Sequence, residues 1–299
     1  MRALVWEQNV TLKEIPVPPI PKGWVLGKVL YAMFGPIDRS IMLGLHPVEP
    51  NRVAGSLGVI RVIEPGIEVS DIRPGEVYAV VPYCQGGIVG IDYDGLLADY
   101  AAVPHECLIK VSRDDLRPEL PLWIEFSFLD DLSQIVDGKK TLIVGCGFSG
   151  YVTARYLKDK CDVTVACIER ALYDDIASLG IEVMMFDNVS SKYDVIVVEP
   201  LSIYSTLQVL KVLNECGTLV FPPTQPKVLL SYSGFPRVFH ILRPQLGNIA
   251  IGKKALEGIP DKLRKNAYAI LKHLDEVPVL VRYYGRVVYV AEKGTEKQK

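Results

Sequence analysis

Three glycines at G-x-G-x-x-G spacing are the residues of this sequence that point most directly to chemistry. Gly145, Gly147 and Gly150 follow a short apolar run, 141–144, and precede a segment, 151–157, with the pattern of a helix. In such a strand–turn–helix unit the first glycine allows a tight turn, the second lets a pyrophosphate approach the backbone, and the third lets the helix pack against the strand. The helix N-terminus also favours an anion. The sequence therefore predicts a dinucleotide-binding loop, and a glycine-rich turn that binds nothing is the alternative.

The residues around this motif indicate which dinucleotide it would take. Phe148 and Ser149 lie within the motif and are expected to contact the ligand with the glycines. Glu169 comes 19 residues after Gly150, where an acid binds the ribose hydroxyls of NAD. Arg170 follows it and could accept the 2′-phosphate of NADP. A carboxylate repels that phosphate, so NAD is favoured and NADP is the alternative; a solvated turn that binds neither is a third interpretation.

Composition limits the class of protein and of partner. The chain has 299 residues, 49% of them apolar, and a net charge of −2. This length predicts about two domains, and the charge implies neither nucleic acid nor an anionic membrane as a partner. The start, 1–6, has no signal-peptide pattern, and no apolar run reaches the ~20 residues that span a bilayer. We expect a cytoplasmic protein.

The cysteines show no metal-binding or redox spacing. There are six, at positions 84, 107, 146, 161, 167 and 216, and no pair is spaced as C-x-x-C. We expect free thiols in a reducing cytosol, most of them small core residues.

Two patterns of elements must position these residues. Residues 1–115 contain short β-branched runs separated by Pro and Gly turns, which predicts a barrel or sandwich. From 139 onward strands alternate with helices, which predicts a parallel sheet covered on both faces. The predicted strands are 2–5, 24–30, 58–63, 77–81, 98–103, 141–144, 162–167, 181–185, 193–198 and 218–221. The predicted helices are 116–135, at least beyond Pro121, and 151–157, 172–179, 203–213 and 261–274.

The last part of the chain returns to strand character. Residues 277–290 predict strands with a turn near Gly285, and 292–299 predict a frayed charged tail.

Several strings, in order, resemble the medium-chain dehydrogenase/reductase superfamily, the zinc alcohol dehydrogenase-like proteins. Each string is modest alone, and their order and spacing carry the resemblance, which covers most of residues 1–222. The strings are the opening strand 1–5, Asp38 with Gly44, V-I-E-P-G at 62–66, R-P-G-E-V at 73–77, G-L-L-A-D-Y at 95–100 with Val103-Pro104, the glycine motif, and V-L-N-E-C-G-T-L-V at 212–220.

The resemblance implies an α/β architecture of two kinds of domain. A GroES-like β-barrel domain would occupy 1–118, a Rossmann doubly wound parallel sheet 119–255, and a C-terminal helix and strands, 256–299, would rejoin the first domain. It also implies a small-molecule substrate and a homodimer.

The sequence departs from the family where zinc members hold their metal. The position matching the first Cys ligand is Gly35, the proton-relay position is Ile37, and the G-H-E string reads as Gly55-Ser56-Leu57. A catalytic zinc needs three protein ligands and an open position. Glu125 alone lies roughly where a third ligand could be, so we expect no zinc.

Relatives without metal stabilise developing oxyanion charge with hydrogen-bond donors. The candidates near the expected cleft are Asp38, Arg39, Ser40, His46, Ser56, Tyr83 and Tyr93, and the catalytic set we predict is Asp38, Ser40, His46, Ser56 and Tyr83. Each has a structural alternative: Asp38 could cap or pair locally, His46 could be a surface residue, and Tyr83 could be a packing aromatic.

Three functions follow from these observations. The first is a zinc-independent NAD(P)-dependent oxidoreductase that moves hydride to or from a small carbonyl, alcohol or enone. The alternative is a non-catalytic nucleotide-binding relative with a sensing or protein-interaction role. A third interpretation uses a metal held by Glu125, Ser56 and Asp38. Glu125 itself could be desolvated among aromatic residues or could face solvent.

Overall fold

The computed structural model describes residues 1–84, 86–199, 209–223 and 238–291. Contacts divide the chain into two units. The first unit contains Met1–Glu125 and the part from Ile259 on, and the second unit contains Phe126–Gly258. Within the described residues, no helix is long and apolar enough to cross a membrane.

Strands dominate the described residues and are numbered here in chain order. They are β1 (Arg2–Trp6), β2 (Val10–Glu14), β3 (Trp24–Phe34), β4 (Leu57–Pro65), β5 (Val77–Val80), β6 (Tyr83–Cys84), β7 (Gly87–Ile88), β8 (Tyr100–Pro104), β9 (Leu108–Lys110), β10 (Lys140–Val144), β11 (Asp162–Cys167), β12 (Glu182–Met185), β13 (Tyr193–Val198), β14 (Leu213–Val220), β15 (His240–Leu242), β16 (Tyr268–Leu271) and β17 (Arg286–Val290).

The helices of the described residues are short. They are α1 (Pro36–Met42), α2 (Leu120–Glu125), α3 (Leu129–Val136), α4 (Phe148–Leu157), α5 (Tyr173–Ala177), α6 (Ile249–Leu256), α7 (Asp261–Ala267) and α8 (Val277–Leu280), with 3₁₀ turns at His105–Cys107, Arg113–Asp115, Phe126–Phe128, Phe186–Asn188, Leu210–Val212 and Leu274–Glu276.

The first unit is built on a mixed, mostly antiparallel sheet. Its strand order is β16-β17-β3-β4-β5-β9, and β8 also pairs with β3. The long central strand β3 alternates buried and partly exposed side chains over its first six residues, as a half-buried strand does. Strand β17 pairs antiparallel with β3, with Val287 opposite Phe34, so the C-terminal strands rejoin the N-terminal sheet as the resemblance implied. The pairing does not show the closed barrel that was expected.

The second unit is built on a parallel sheet. Its order is β12-β11-β10-β13-β14-β15, and every neighbouring pair is parallel. The chain enters the sheet at the central strand β10 and adds β11 and β12 on one side. It then returns to add β13, β14 and β15 on the other side of β10. This is the doubly wound topology predicted from the alternating pattern. Val195–Val198 are fully buried, as expected of a strand covered on both faces.

The sequence pattern is wrong in two places near the C-terminus. The helix predicted over 261–274 ends at Ala267, because Tyr268–Leu271 form β16 and pair with β17. The strand character predicted over 277–290 begins only at Arg286, since Val277–Leu280 are helical. At 268–271 pairing with β17 overrides the helical pattern. At 277–280 the strand pattern is overridden because these residues, which are helical, pair with no described strand.

Two other predicted helices differ from the structure. The helix predicted over 116–135 is two helices, α2 and α3, joined by the 3₁₀ turn Phe126–Phe128. Of the helix predicted over 203–213, the part 203–208 lies outside the described residues, as does the tail 292–299. Leu210–Val212 are a 3₁₀ turn, and β14 begins at Leu213.

Candidate functional site

The glycine loop joins β10 to α4 in the second unit, at the carboxyl end of the central strand. Gly145 has a φ of +113°, a conformation that side chains rarely adopt. A Cβ on Gly150 would overlap the carbonyl oxygen of Gly145, whereas a Cβ on Gly147 would meet no atom within 4 Å. The three glycines therefore provide a sharp turn, an open approach to the backbone and a close helix–strand contact.

Helix α4 presents its N-terminus next to this open approach. Gly147 is the N-cap residue, and Phe148 and Ser149 form the start of the ten-residue helix. The Phe148 ring packs edge-on against Phe126, with centroids 5.9 Å apart. Backbone N–H groups and the positive end of the dipole at a helix start stabilise an anion, so the geometry suits a pyrophosphate.

Glu169 and Arg170 lie just beyond the end of β11, the strand that pairs with β10. Both side chains are exposed. The Arg170 guanidinium lies 4.9 Å from the ring centre of Tyr173. The backbone N–H of Leu172 donates to the carbonyl of Cys146 at 3.0 Å, so the segment after β11 is bound to the glycine loop. The structure thus brings the predicted cofactor residues to two adjacent strand ends.

The expectation of six free thiols is wrong for four cysteines. Cys84 pairs with Cys107, and Cys146 with Cys167, with Cα atoms 5.2 and 5.1 Å apart. Cys161 and Cys216 are free. Spacing along the chain gave no signal for these pairs, because the partners are 23 and 21 positions apart and meet only in the folded chain.

Asp38 lies on α1 in the first unit and is completely buried. Its carboxylate accepts the backbone N–H of Gly35 at 3.1 Å, which caps the helix, and that of Gly55 at 2.6 Å. Burial raises the pKa of Asp38 to about 6, and the backbone N–H donors, Gly55 first, oppose that rise. Asp38 therefore joins the start of α1 to the turn that carries Ser56.

Ser56 is also buried, and its hydroxyl has no hydrogen-bond partner among the described residues. A buried polar atom without a partner is rare and calls for an explanation in function or hydration. The neighbouring backbone fixes its position, because the N–H of Ser56 is another donor to Asp38. Among the candidate catalytic residues, Asp38 and Ser56 are thus linked directly, because the Asp38 carboxylate accepts the backbone N–H of Ser56.

The other candidates have different surroundings. Ser40 is buried on α1, where its hydroxyl donates to the carbonyl of Ile37 at 2.6 Å. His46 lies after α1 and is 9% exposed, so the alternative of a surface residue is wrong. Tyr83 is half-buried in the short strand β6, opposite Ile88.

The residues at the expected zinc positions do not form a metal site. Within the described residues, no three His, Cys, Asp or Glu side chains cluster as metal ligands would. Glu125 is buried, which excludes the solvent-facing alternative, and both its oxygens accept from the guanidinium of Arg286. The Nε–Oε2 distance is 2.6 Å. The donor set does not fit a zinc that needs three protein ligands.

Arg286 is a residue that sequence reasoning missed. It lies 161 positions from Glu125 at the start of β17, and no periodicity links the two. The backbone donor Gly55 was missed for the same reason, since it lies 17 positions from Asp38. The bond between Asp38 and Gly35 is the local cap that was given as the alternative for Asp38.

Comparisons with known proteins give a fold. No protein-family model matches the chain, and no curated protein matches its sequence. Similar solved structures include a thermostable alcohol dehydrogenase from Pyrobaculum aerophilum, with 21% identity, a TM-score of 0.69 and coverage of 97% of this chain and 99% of that one. Acetophenone reductase from Geotrichum candidum in complex with NAD has 18% identity, a TM-score of 0.68 and coverage of 97% and 96%. Haloferax mediterranei glucose dehydrogenase in complex with NADP, Zn and gluconolactone has 14% identity, a TM-score of 0.71 and coverage of 98% and 100%.

Proposed function

We propose that this chain, whose fold is that of the medium-chain dehydrogenase/reductase superfamily, is a divergent member acting as a zinc-independent NAD(P)-dependent oxidoreductase. Its substrate would be a small carbonyl, alcohol or enone. One observation carries the proposal. The glycine loop leaves open space at Gly147, and α4 packs so close to the loop at Gly150 that no side chain fits there. The similar reductase and glucose dehydrogenase are in complex with NAD and with NADP.

The residues of the second unit fit a dinucleotide. Gly147, Phe148 and Ser149 at the start of α4 would receive the pyrophosphate. Glu169 would bind the ribose hydroxyls, and its charge opposes a 2′-phosphate, so we propose NAD as the preferred cofactor and NADP as the alternative. When bound, the nicotinamide would supply or accept the hydride.

Ser56 is the residue that we propose as hydrogen-bond donor to the substrate oxygen. Its hydroxyl is buried and has no partner among the described residues, so a new bond would break none in the protein. A preorganised donor in a dry site stabilises developing oxyanion charge more than water does. Asp38 would be a positioning residue, because it holds the backbone of Gly55 and Ser56 in place.

His46 and Tyr83 remain proposed proton donors. An imidazole titrates close to neutral pH and could move a proton. Ser40 is the weakest member of the set, because its hydroxyl already donates to Ile37.

The second candidate function is a non-catalytic nucleotide-binding relative. It is favoured by the replacement of the expected zinc and relay positions with Gly35, Ile37, Ser56 and Leu57. It is also favoured by the use of Asp38 as a helix cap and backbone anchor. Under this function the glycine loop would bind nucleotide, and no substrate would turn over.

A homodimer in the cytoplasm also remains a proposal. Strand β15 is the last strand of the parallel sheet in the described part of the second unit. Its Ile241 and Leu242 are 52% and 41% exposed, and an edge strand with apolar side chains is a template for pairing. Light scattering of the purified chain would test the dimer.

Two measurements test the proposed function in order. NADH and NADPH are titrated into the protein while nucleotide fluorescence and the melting temperature are followed. Absence of binding to both at millimolar concentration contradicts both candidate functions. A panel of aldehydes, ketones, quinones and enones is then assayed with the bound nucleotide, after chelation and metal analysis. Turnover by metal-free protein supports the oxidoreductase, and binding without any turnover supports the non-catalytic relative.

A further inference from the structure

We propose that Cys146 and Cys167 form a reversible disulfide that fixes the glycine loop, so that oxidation of the pair tightens nucleotide binding. The inference rests on the proposed function, since it concerns the regulation of the same loop. Cys146 is the residue between Gly145 and Gly147, and Cys167 is the last residue of β11. Parallel pairing of β10 with β11 brings these two positions side by side.

The backbone already has the separation that the bond requires. The Cα atoms are 5.1 Å apart, within the range of about 4.4–6.8 Å that disulfides span. The finished disulfide therefore fits the backbone as it stands, with Gly147 facing open space. The cross-link closes a 21-residue separation that contains α4.

The two redox states hold the loop by different bonds. As a thiol, Cys146 can donate to the carbonyl of Glu169, which lies 2.9 Å from its sulfur. As a disulfide it has no proton to donate, and the loop is instead held covalently to β11. A hydrogen bond between two loop segments opens easily, whereas a covalent bond does not. Fixing a loop in its binding conformation lowers the entropic cost of binding.

The oxidation is a thiol–disulfide exchange with a low-molecular-weight disulfide. One cysteine thiolate attacks the oxidant and releases one small thiol, which leaves a mixed disulfide on the protein. The second cysteine attacks that sulfur and releases the second small thiol. The two cysteines together lose two electrons and two protons, and the oxidant gains them. Both side chains are buried, at 2% and 0% exposure, so the exchange requires local opening of the loop.

The experiment compares the full chain after oxidised glutathione and after dithiothreitol. Peptide mapping of alkylated protein is expected to find a Cys146–Cys167 cross-link only in the oxidised sample. The oxidised protein should bind NADH at least threefold more tightly and melt on the order of 5–10 °C higher. The background is Cys84→Ser/Cys107→Ser, which removes the other pair. In this background Cys167→Ala should lose the redox response, and Cys161→Ala, which changes a free cysteine of the same unit, should keep it.

The outcomes separate this inference from the function on which it rests. Absence of the cross-link overturns the inference, and so does a cross-link with equal NADH affinity in both states, while binding itself still supports the proposed function. If neither state binds NADH or NADPH, both proposals are overturned. Cys146→Ser, which keeps a hydroxyl donor for Glu169, is the second variant if Cys167→Ala does not fold, and it too must lose the response.

Discussion

Gly150 lies so close to Gly145 that a side chain at position 150 would overlap the carbonyl oxygen of Gly145. This contact fixes where α4 starts relative to β10. It leaves Gly147 between them, facing open space. The loop therefore contains one glycine that close packing requires and one at which a side chain would meet only open space.

The first prediction concerns Gly147, the glycine that faces open space. Gly147→Ala should fold normally, because its φ of −79° and ψ of −169° are open to alanine and the added methyl group meets no atom within 4 Å. The methyl group would fill the approach to the backbone, so NADH affinity should fall about tenfold, a loss of about 1.4 kcal/mol. Fluorescence titration and thermal melting measure the two effects.

Two further glycine variants control this experiment. Gly247→Ala also places a methyl group in open space in the second unit, and it should change neither binding nor stability. Gly150→Ala should destabilise the protein strongly, because the clash is with backbone. If Gly147→Ala binds NADH as tightly as the wild type, the nucleotide does not lie on this loop.

The second prediction concerns Ser56. Ser56→Ala should leave stability unchanged or raise it by about 1 kcal/mol, because a buried hydroxyl without a partner is removed. If Ser56 donates to the substrate oxygen, kcat should fall about 100-fold with little change in KM. Thr141→Val is the control, because it removes a buried hydroxyl in β10 that donates to the carbonyl of Lys139, and it should leave kcat unchanged. An unchanged kcat in Ser56→Ala would exclude the role.

Local pattern predicted most strands of the fold because their burial follows simple rules. The strands 162–167 and 193–198 were predicted with their observed bounds, since both are rich in β-branched and apolar residues that parallel strands bury. The strand β16 was hidden, because 268–271 continues the helical spacing of α7 and becomes a strand only by pairing with β17. Long-range pairing of this kind leaves no trace in a short window.

The candidate site likewise has a part that could be predicted from the sequence and a part that could not. The glycine loop could be predicted because its chemistry resides in consecutive residues. The anchoring of Ser56 by Asp38 could not, since it depends on a backbone N–H of Gly55, 17 positions away. The contact between Cys146 and Cys167 also depends on which strands become neighbours.

The third prediction is a pH dependence from Asp38. Its pKa is raised to about 6 by burial from an ordinary 3.8, so between these values the folded protein holds a proton that the unfolded chain releases. The contribution to stability is therefore fully present below about pH 4, falls as pH rises toward 6 by up to about 3 kcal/mol, and levels off above it. Urea unfolding of the wild type and of Asp38→Asn from pH 4 to 7.5 measures it. The wild type should lose stability relative to the variant across this window, and a constant or rising difference would contradict the assignment.

The fourth prediction concerns the cofactor. Glu169→Gln removes the charge that opposes a 2′-phosphate, so the ratio of NADH to NADPH affinity should fall several-fold. Arg170→Gln should instead weaken NADPH binding, because the guanidinium near Tyr173 could receive that phosphate. Titrations of both nucleotides against each variant give the ratios. A ratio that neither substitution moves would mean that the turn after β11 does not contact the ribose.

The last prediction tests whether Glu125 stabilises the fold or takes part in catalysis. Its carboxylate is buried and paired with Arg286, so removing one partner leaves an unpaired buried charge. Glu125→Leu and Arg286→Met should each cost about 3–5 kcal/mol of stability, and the double variant should cost less than either, because no charge is then buried. Urea unfolding of the four proteins gives the coupling. A metal role for Glu125 predicts a different result: the double variant would lose bound metal and activity even where its stability is restored. Retention of turnover in the double variant would therefore assign Glu125 to the fold alone.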